Sequence, residues 1–458
     1  MDGSTAARSG PAIDASSACM LLVTILAFCL PLLVYAPPIP PSKRDALLET
    51  HTEIGLSRSE SRLPRELKAD AGSNQTQTRA RTRIRSLWIY PLKSCKGIEL
   101  HRSKVLPAGL EHDRLYTFAR LVAPRGPAGV QTRLGPLGRD EEPARSWQFI
   151  TQRQFPLLAT VQVDLFVPDI AKARGRPSKV SESFLLVRFP WQDPGLRGLQ
   201  TWAAVKLARG WRARPEKEFV LPVAFPSEGE IEARGYTREP VAIWRDTVEA
   251  INMETELPRE LRLYLGVKDR LGLFRIDPAR LRHVHRCGPA LRDAGYQPAT
   301  GFQDAYPLHL LNLTSLRDFD AEVEKDKALR VLDPRRFRAN IIVDGGAPYD
   351  EETWKKFRFA PRPGSKREAS TFHVSCRTVR CKMPNVDQDT GHRHPVEPDR
   401  ALRKFREVDE GAKHKGCLGV QLTPLFSKTE SPEDMESWVE AGMPVVLLER
   451  GRHVYIPQ

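Results

Sequence analysis

The residues best suited to chemistry lie near the C-terminal end, in Cys376-Arg-Thr-Val-Arg-Cys381-Lys-Met-Pro-Asn385-Val-Asp387-Gln-Asp389-Thr390-Gly391. Two thiols stand five residues apart, with Arg377 and Arg380 beside them. A thiolate next to guanidinium groups has a lowered pKa and is ready to ligate a metal or attack an electrophile. The run from Asn385 to Gly391 is dense in residues that bend the backbone and hydrogen-bond to it. Three readings of the thiols stand side by side. They are inert buried cysteines, or one is a reactive thiolate in an arginine-rich, anion-binding turn that would suit a soft metal. In the third, Cys376, Cys381, His392 and His394 bind zinc, although Cys-x4-Cys and His-x-His are unusual zinc spacings.

Two further groups favour anions. Lys93-Ser94 falls in a turn bounded by Pro91 and followed by Gly97. Lysine offers a point charge and serine a hydroxyl, and such a turn can aim backbone N–H groups at a phosphate. A merely solvated Lys-Ser pair is the plainer alternative. Arg335-Arg336-Phe337-Arg338, with Asn340, leads into Ile341-Ile-Val-Asp344. Strand alternation sends Phe337 to one face and Arg336 and Arg338 to the other. A buried arginine needs a carboxylate or an anionic ligand, and a structural ion pair is the plainer alternative.

The elements that must hold these residues are mostly strands. Ile84–Leu100 reads as strand, polar loop and strand, and Gly109-Leu-Glu-His-Asp113-Arg114 as a turn into another. Trp147–Arg153, Val161–Val167, Ser183–Phe189 and Val241–Ala250 continue the pattern. Leu257–Gly266 carries leucines four apart and reads as a short amphipathic helix. Leu308–Leu316 leads into a helix with Ser315 as a candidate N-cap, and Pro444–Glu449 is a last strand. Segments 121–146, 171–182 and 276–300 read as insertions. The expected class is α+β, mostly β: a barrel-like lobe and a second β domain with accessory helices.

At 458 residues the chain has room for two or three domains. The net charge of +14 is spread along it, and no RNP motif or zinc-finger spacing accompanies it, which argues against nucleic acid. A basic surface favours anionic ligands or an acidic partner. Seven scattered cysteines do not make a disulfide framework and fit a reducing compartment. Residues 18–36 carry no charge and as a helix would span roughly 28 Å, about a bilayer core. The basic residues that follow place the C-terminal bulk in the cytosol; a cleaved signal peptide is the rival. The expected order is a polar N-terminus at 1–17, a membrane anchor at 18–36 and a disordered tether at 37–82. A barrel domain at 83–255, a helical connector at 256–300 and a second domain at 301–455 follow.

Several motifs resemble those of MOSC-domain proteins. Tyr90-Pro-Leu-Lys-Ser-Cys-Lys-Gly97 and Gly109-Leu-x-x-Asp-Arg114 resemble the signature of the MOSC N-terminal β-barrel, and Trp147-x-x-x-Thr-x-Arg-x-x-Pro156-x-Leu its next block. Arg336-Phe-Arg-x-Asn340-Ile-Ile-Val is similar to the family's Arg-Phe-Arg-Pro-Asn-Ile, with Ala339 in place of proline. Cys381-x-x-x-x-Val-Asp-x-Asp-Thr-Gly391, Glu397-Pro and Leu418-Gly419 complete the order over residues 84–450. Among such proteins the chain most resembles the membrane-anchored amidoxime-reducing components, which are tethered by an N-terminal helix.

The resemblance implies a MOSC N-terminal β-barrel followed by a MOSC β-barrel domain, and a molybdenum–molybdopterin cofactor with Cys381 as metal ligand and catalytic residue. Lys93, Ser94, Arg114, Asn312, Ser315, Arg338, Asn340 and Arg380 would bind the cofactor. It further implies reduction of small N-hydroxylated substrates, with electrons from a separate haem or flavin partner of the cytochrome b5 type. The chain would sit on the mitochondrial outer membrane or the endoplasmic reticulum, facing the cytosol. Relatives that mature the cofactor as sulfurases imply an alternative in which the cysteine carries sulfur. Pyridoxal phosphate binding belongs to the family at large, and this chain lacks the aminotransferase-like domain that would use it. A membrane-tethered carrier of the cofactor is the third reading. The spacing of Cys376 and Cys381 is wider than the relatives' usual one, which leaves the role of Cys376 open.

Overall fold

The computed structural model describes residues 14–35, 42–63 save 58 and 62, 81–123, 145–172, 181–361, 364, 368–427, 429 and 431–457. The fold is mostly β, with short helices on the sheets. Its centre is an eight-stranded sheet. In hydrogen-bonded order its strands are Val445–Arg450, Trp354–Phe359, Ser370–Val379, Cys417–Leu425, Leu308–Asn312, Ile341–Asp344, Arg83–Ile89 and Ile98–Leu100. Leu308–Asn312 and Ile341–Asp344 run parallel, Leu310 opposite Ile341, and every residue of both is buried. Burial on both faces explains why apolar residues stand side by side here, as in Leu310-Leu311 and Ile341-Ile342-Val343, instead of alternating with polar ones.

The helix Leu313–Glu322 starts straight off the first of these strands. Leu313, Leu316 and Phe319 recur on one face and pack with Phe337 and Leu418. Its N-cap is Asn312, not the expected Ser315: the Asn312 side chain accepts from the Thr314 N–H at 3.1 Å. At the opposite end of the sheet Phe357, Phe359 and Phe372 meet with ring centroids 5.2 to 5.6 Å apart. All three are fully buried, worth roughly 1.5–3 kcal/mol each.

A five-stranded barrel closes from Thr237–Ile243, Asp246–Asn252, Arg270–Ile276, Tyr116–Val122 and Ser146–Phe149. A four-stranded sheet of His51–Ile54, Gln162–Pro168, Phe184–Pro190 and Glu216–Pro222 completes the β framework of the first lobe. The expected helix near 257–266 forms as Arg259–Leu265, with Leu261 and Leu265 buried.

Four expectations need correction. The segment 37–82 is not wholly a tether. Lys43–Leu48 is a helix and His51–Ile54 pairs antiparallel with Gln162–Pro168, where His51 and Ile54 tuck into the sheet. The connector 256–300 supplies the barrel strand Arg270–Ile276, whose apolar side chains are buried. The boundary between 83–255 and 301–455 is crossed by the central sheet, because Arg83–Ile89 pairs with Ile341–Asp344. Finally, Pro334–Phe337 is a 3-10 turn and Arg338 is left-handed, so strand alternation does not apply to these arginines. Most of the expected insertion 121–146, and 173–180 of the next one, lie outside the described residues.

At the N-terminus Ala15–Tyr35 forms a helix without charge, with side chains described as far as Pro31. Among the described residues, no helix is long and apolar enough to cross a membrane, so the expected spanning anchor finds no support there.

Candidate functional site

Three of the anion-binding candidates share an unusual backbone. Ser94, Arg114 and Arg338 are left-handed, with φ of 67°, 51° and 52°. Non-glycine residues held there cost of order 1–3 kcal/mol each and cluster where surrounding structure insists on them. Here the insistence is visible. The turn after the strand Arg83–Ile89 is laced to the turn before Tyr116–Val122: Lys93 N–H to Tyr116 carbonyl at 2.8 Å, Arg114 N–H to Tyr90 carbonyl at 2.9 Å, Tyr116 N–H to Pro91 carbonyl at 2.9 Å. Gly97 closes the turn against Tyr90 so tightly that a Cβ would come within 2.5 Å of the ring.

Tyr90 is the pivot. Two guanidiniums lie over its ring, Arg338 4.1 Å and Arg114 4.7 Å from the centre. Burial pushes the phenol up to about 12, although both guanidiniums pull the other way. Arg114 donates to Asp113 Oδ2 at 2.5 Å and to the Arg338 carbonyl at 3.3 Å. Arg338 Nη1 donates to the Cys95 carbonyl at 2.7 Å, while its Nη2 is buried with no partner among the described residues. Desolvation lowers Arg338 to about 10. Arg380 is in the same condition: Nη2 donates to the Phe337 carbonyl at 2.9 Å, Nε is buried and unpartnered, and burial lowers it to about 10. His309 is buried nearby. Desolvation and the charges of Arg380 and Arg114 hold it well below its usual value, so it is neutral. A buried cation with an unmet donor is costly unless an anion completes it.

The strand Ser370–Val379 delivers Arg380 and then Cys381, which is half-buried. The loop that follows is rigid by construction. Asp387 Oδ1 accepts from the N–H groups of Asp389 and Thr390 at 3.1 and 2.9 Å and from the Thr390 hydroxyl at 2.9 Å. Arg336 grips the same loop, donating to Asp387 Oδ2 at 2.8 Å and to the carbonyls of Pro384 and Asn385 at 3.2 and 3.1 Å. Gln388 Nε2 donates to Gln152 Oε1 at 2.9 Å, and Gln152 Nε2 donates to the Ser94 carbonyl at 2.7 Å. The Cys381 loop is thereby tied to the Lys93–Ser94 turn.

The structure thus brings Ser94, Arg114, Arg338, Arg380 and Cys381 into one framework and sorts the remaining candidates. Lys93 is buried and donates to Asp304 Oδ1 and to the Phe302 carbonyl, both at 2.6 Å. Burial works against the Asp304 carboxylate, yet the Lys93 charge and hydrogen bond hold it well below the usual range. Asn340 is a tie between strands: its Oδ1 accepts from His309 N–H at 3.2 Å and its Nδ2 donates to the Trp88 carbonyl at 3.1 Å.

Asn312 and Ser315 are fully buried and both donate to Glu351, at 3.1 and 2.7 Å; Asn312 also donates to the Gly345 carbonyl, and Ser315 accepts from the Tyr349 N–H. Arg336 belongs to an ion pair, as its plainer reading had it. The zinc reading fails for a simple reason: Cys376 is buried against Val284 and Tyr306, His394 bonds Asp326 at 3.0 Å, and no group of three or more metal-ligating side chains occurs among the described residues. Sequence reasoning missed Tyr90, Asp113, Gln152, His309 and Gln388 as positioning residues. Tyr90 and Asp113 lay inside quoted motifs, but nothing local signalled a stacked aromatic.

Comparison with known proteins follows this geometry. The model of the MOSC N-terminal beta barrel domain matches residues 81–183, and that of the MOSC domain matches residues 297–446. Mitochondrial amidoxime reducing component 2 of Rattus norvegicus is 23% identical over 365 residues, covering 79% of this chain and 82% of the relative. The protein of the same name from Bos taurus is 23% identical over 362 residues with the same coverage. A molybdenum cofactor sulfurase of Drosophila melanogaster is 24% identical over 321 residues, 67% of this chain but 38% of the relative. Both domains meet where Tyr90 stacks on Arg338, and with the two models matched in order the chain belongs to the MOSC-domain proteins.

Proposed function

We propose that this chain binds a molybdopterin cofactor and works as a molybdenum-dependent reductase of small N-hydroxylated substrates. The observation that carries this reading is the pair of buried guanidiniums with unmet donors, Arg338 Nη2 and Arg380 Nε, beside the half-buried Cys381. The donor set suits a multiply charged phosphate, which arginines bind through directed N–H groups. Arg338, Arg114 and Arg380 would hold the anionic part, with Ser94 and Lys93 at the turn. Cys381 would offer its thiolate to the metal, and the Asp387 loop would fix its position. When bound, the cofactor would supply the redox chemistry of the reduction. This chain's own residues bind it, orient it and neutralise its charge. His309, kept neutral, offers a hydrogen-bonding nitrogen without adding to the positive charge.

Electrons would come from a separate haem or flavin protein, and the net charge of +14 suits an acidic one. The names of the relatives favour a mitochondrial location. The uncharged helix Ala15–Tyr35, with Met20, Leu21, Leu22 and Phe28 exposed, supports association with a membrane; alkaline carbonate extraction of the tagged chain tests that. The similarity to sulfurases supports a second reading, in which Cys381 carries sulfur for the cofactor.

The experiment is to purify the chain from a host that makes molybdopterin and measure molybdenum and pterin per chain. A value near one of each, followed by amidoxime reduction with a supplied electron donor, is the expected result. Cofactor without turnover would favour the sulfurase or carrier role. A folded chain with neither metal nor pterin would overturn the proposal.

A further inference from the structure

Away from the arginine cluster a second pair of sulfurs meets. Cys376 is fully buried on the strand Ser370–Val379, and Cys287 packs against it with Tyr306, Val284 and Tyr455. Cys287 comes from the segment 276–300, which the cofactor site does not use. It is half-buried and left-handed, with φ of 56°, a conformation that a non-glycine residue keeps only when its surroundings impose it. The C-terminal tail imposes it here. The Ile456 N–H donates to the Cys287 sulfur at 3.3 Å, and the Cys287 thiol donates toward the carbonyls of Val454 and Ile456 at 3.6 and 3.9 Å.

The two sulfurs are unequal. The hydrogen bond from Cys376 pulls the Cys287 thiol down to about 6, with help from the Ile456 N–H. Burial pushes Cys376 well above its usual value. One sulfur is therefore exposed enough to meet a solute and the easier of the two to ionise, and the other waits behind it as a thiol. Cys95, also buried, lies in a hydrophobic cluster that holds no second cysteine among the described residues.

We propose that Cys287 and Cys376 form an oxidation site that takes a peroxide and closes to an intramolecular disulfide. The Cys287 thiolate attacks one oxygen of hydrogen peroxide: an S–O bond forms, the O–O bond breaks, and the departing hydroxide takes a proton and leaves as water. The Cys376 sulfur gives up its proton and attacks the sulfenic sulfur, forming the S–S bond and displacing a second water. The two thiols lose two electrons, and one peroxide becomes two waters. In a reducing compartment the pair rests as thiols and closes only under oxidant. Closure ties the 276–300 segment covalently to the strand that runs into Arg380 and Cys381.

The test uses the full chain, reduced, desalted and treated with hydrogen peroxide, then alkylated, digested and mapped by mass spectrometry. The expected product is a Cys287 peptide joined to a Cys376 peptide, lighter by two hydrogens and released by dithiothreitol. Cys287 should lose its thiol at least about tenfold faster than Cys95 or Cys417. Cys287→Ser should abolish the joined peptide and leave Cys376 a thiol. Cys376→Ala, checked for folding by near-ultraviolet circular dichroism, should stop Cys287 at a sulfenic acid that dimedone traps. A folded wild-type chain in which Cys287 stays unmodified, ends as a sulfinic acid, or pairs with another cysteine would overturn the proposal.

Discussion

The guanidinium of Arg338 lies 4.1 Å from the centre of the Tyr90 ring, and a left-handed backbone at Arg338 puts it there. The contact joins the first-lobe turn to the stretch that enters the strand Ile341–Asp344. Arg114 lies over the same ring, 4.7 Å from its centre. Two like charges thus share one ring, an arrangement that an anion between or beside them would relieve. We predict that Arg338→Lys, which cannot stack flat or reach with a fork, lowers molybdenum per chain by about tenfold or more. The melting temperature should fall by no more than a few degrees. Metal analysis alongside calorimetry checks both, and a fully loaded Arg338→Lys chain would remove Arg338 from the cofactor site.

Thiol identity gives a second contrast. Cys381→Ser should lose bound molybdenum while keeping its melting temperature, since the half-buried thiol packs little. Retention of metal in that variant would refute the ligand assignment.

Asn312 caps the helix Leu313–Glu322 and donates to Glu351. Asn312→Ala should cost about 1–3 kcal/mol through the lost cap and the unpaired buried carboxyl. Cofactor per folded chain should not change. Denaturant titration with metal analysis separates this structural role from a binding one.

Glu351 carries a pH signature. Burial raises it to about 7, against the hydrogen bonds from Ser315 and Asn312. In the unfolded chain it titrates near the ordinary carboxylate value, so between roughly pH 4.5 and 7 the folded state holds the extra proton. Its contribution is therefore present at low pH and lost as pH rises through about 7. The slope is up to roughly 1.4 kcal/mol per pH unit. Glu351→Gln should flatten the stability profile over that window relative to wild type; an unchanged profile would sink the assignment.

The motifs were legible because each is a local backbone device. The Asp387 turn and the Tyr90–Gly97 turn do in space what their spacing suggests. What was illegible depends on partners far along the chain. The hydrogen bonds of Asn312 and Ser315 to Glu351 were not legible, because Glu351 lies 39 and 36 residues further on. Arg336 and Arg338 were assigned one face by strand alternation, but the 3-10 turn and the left-handed residue send them to Asp387 and Tyr90 respectively. His51–Ile54 fell inside the expected tether, since pairing with Gln162–Pro168 completes it only in three dimensions.

The pairing of Arg83–Ile89 with Ile341–Asp344 sets a timetable for synthesis. The earlier strand leaves the ribosome first, yet its sheet neighbour is about 250 residues behind it. At roughly 5–20 residues per second it waits on the order of tens of seconds with its edge open. A nascent chain in that interval exposes Ile84, Leu87 and Ile89, which the finished protein buries completely or nearly so. Chaperone occupancy should therefore peak before residue 341 emerges, and a ribosome stalled there should hold the barrel strands without the cofactor framework.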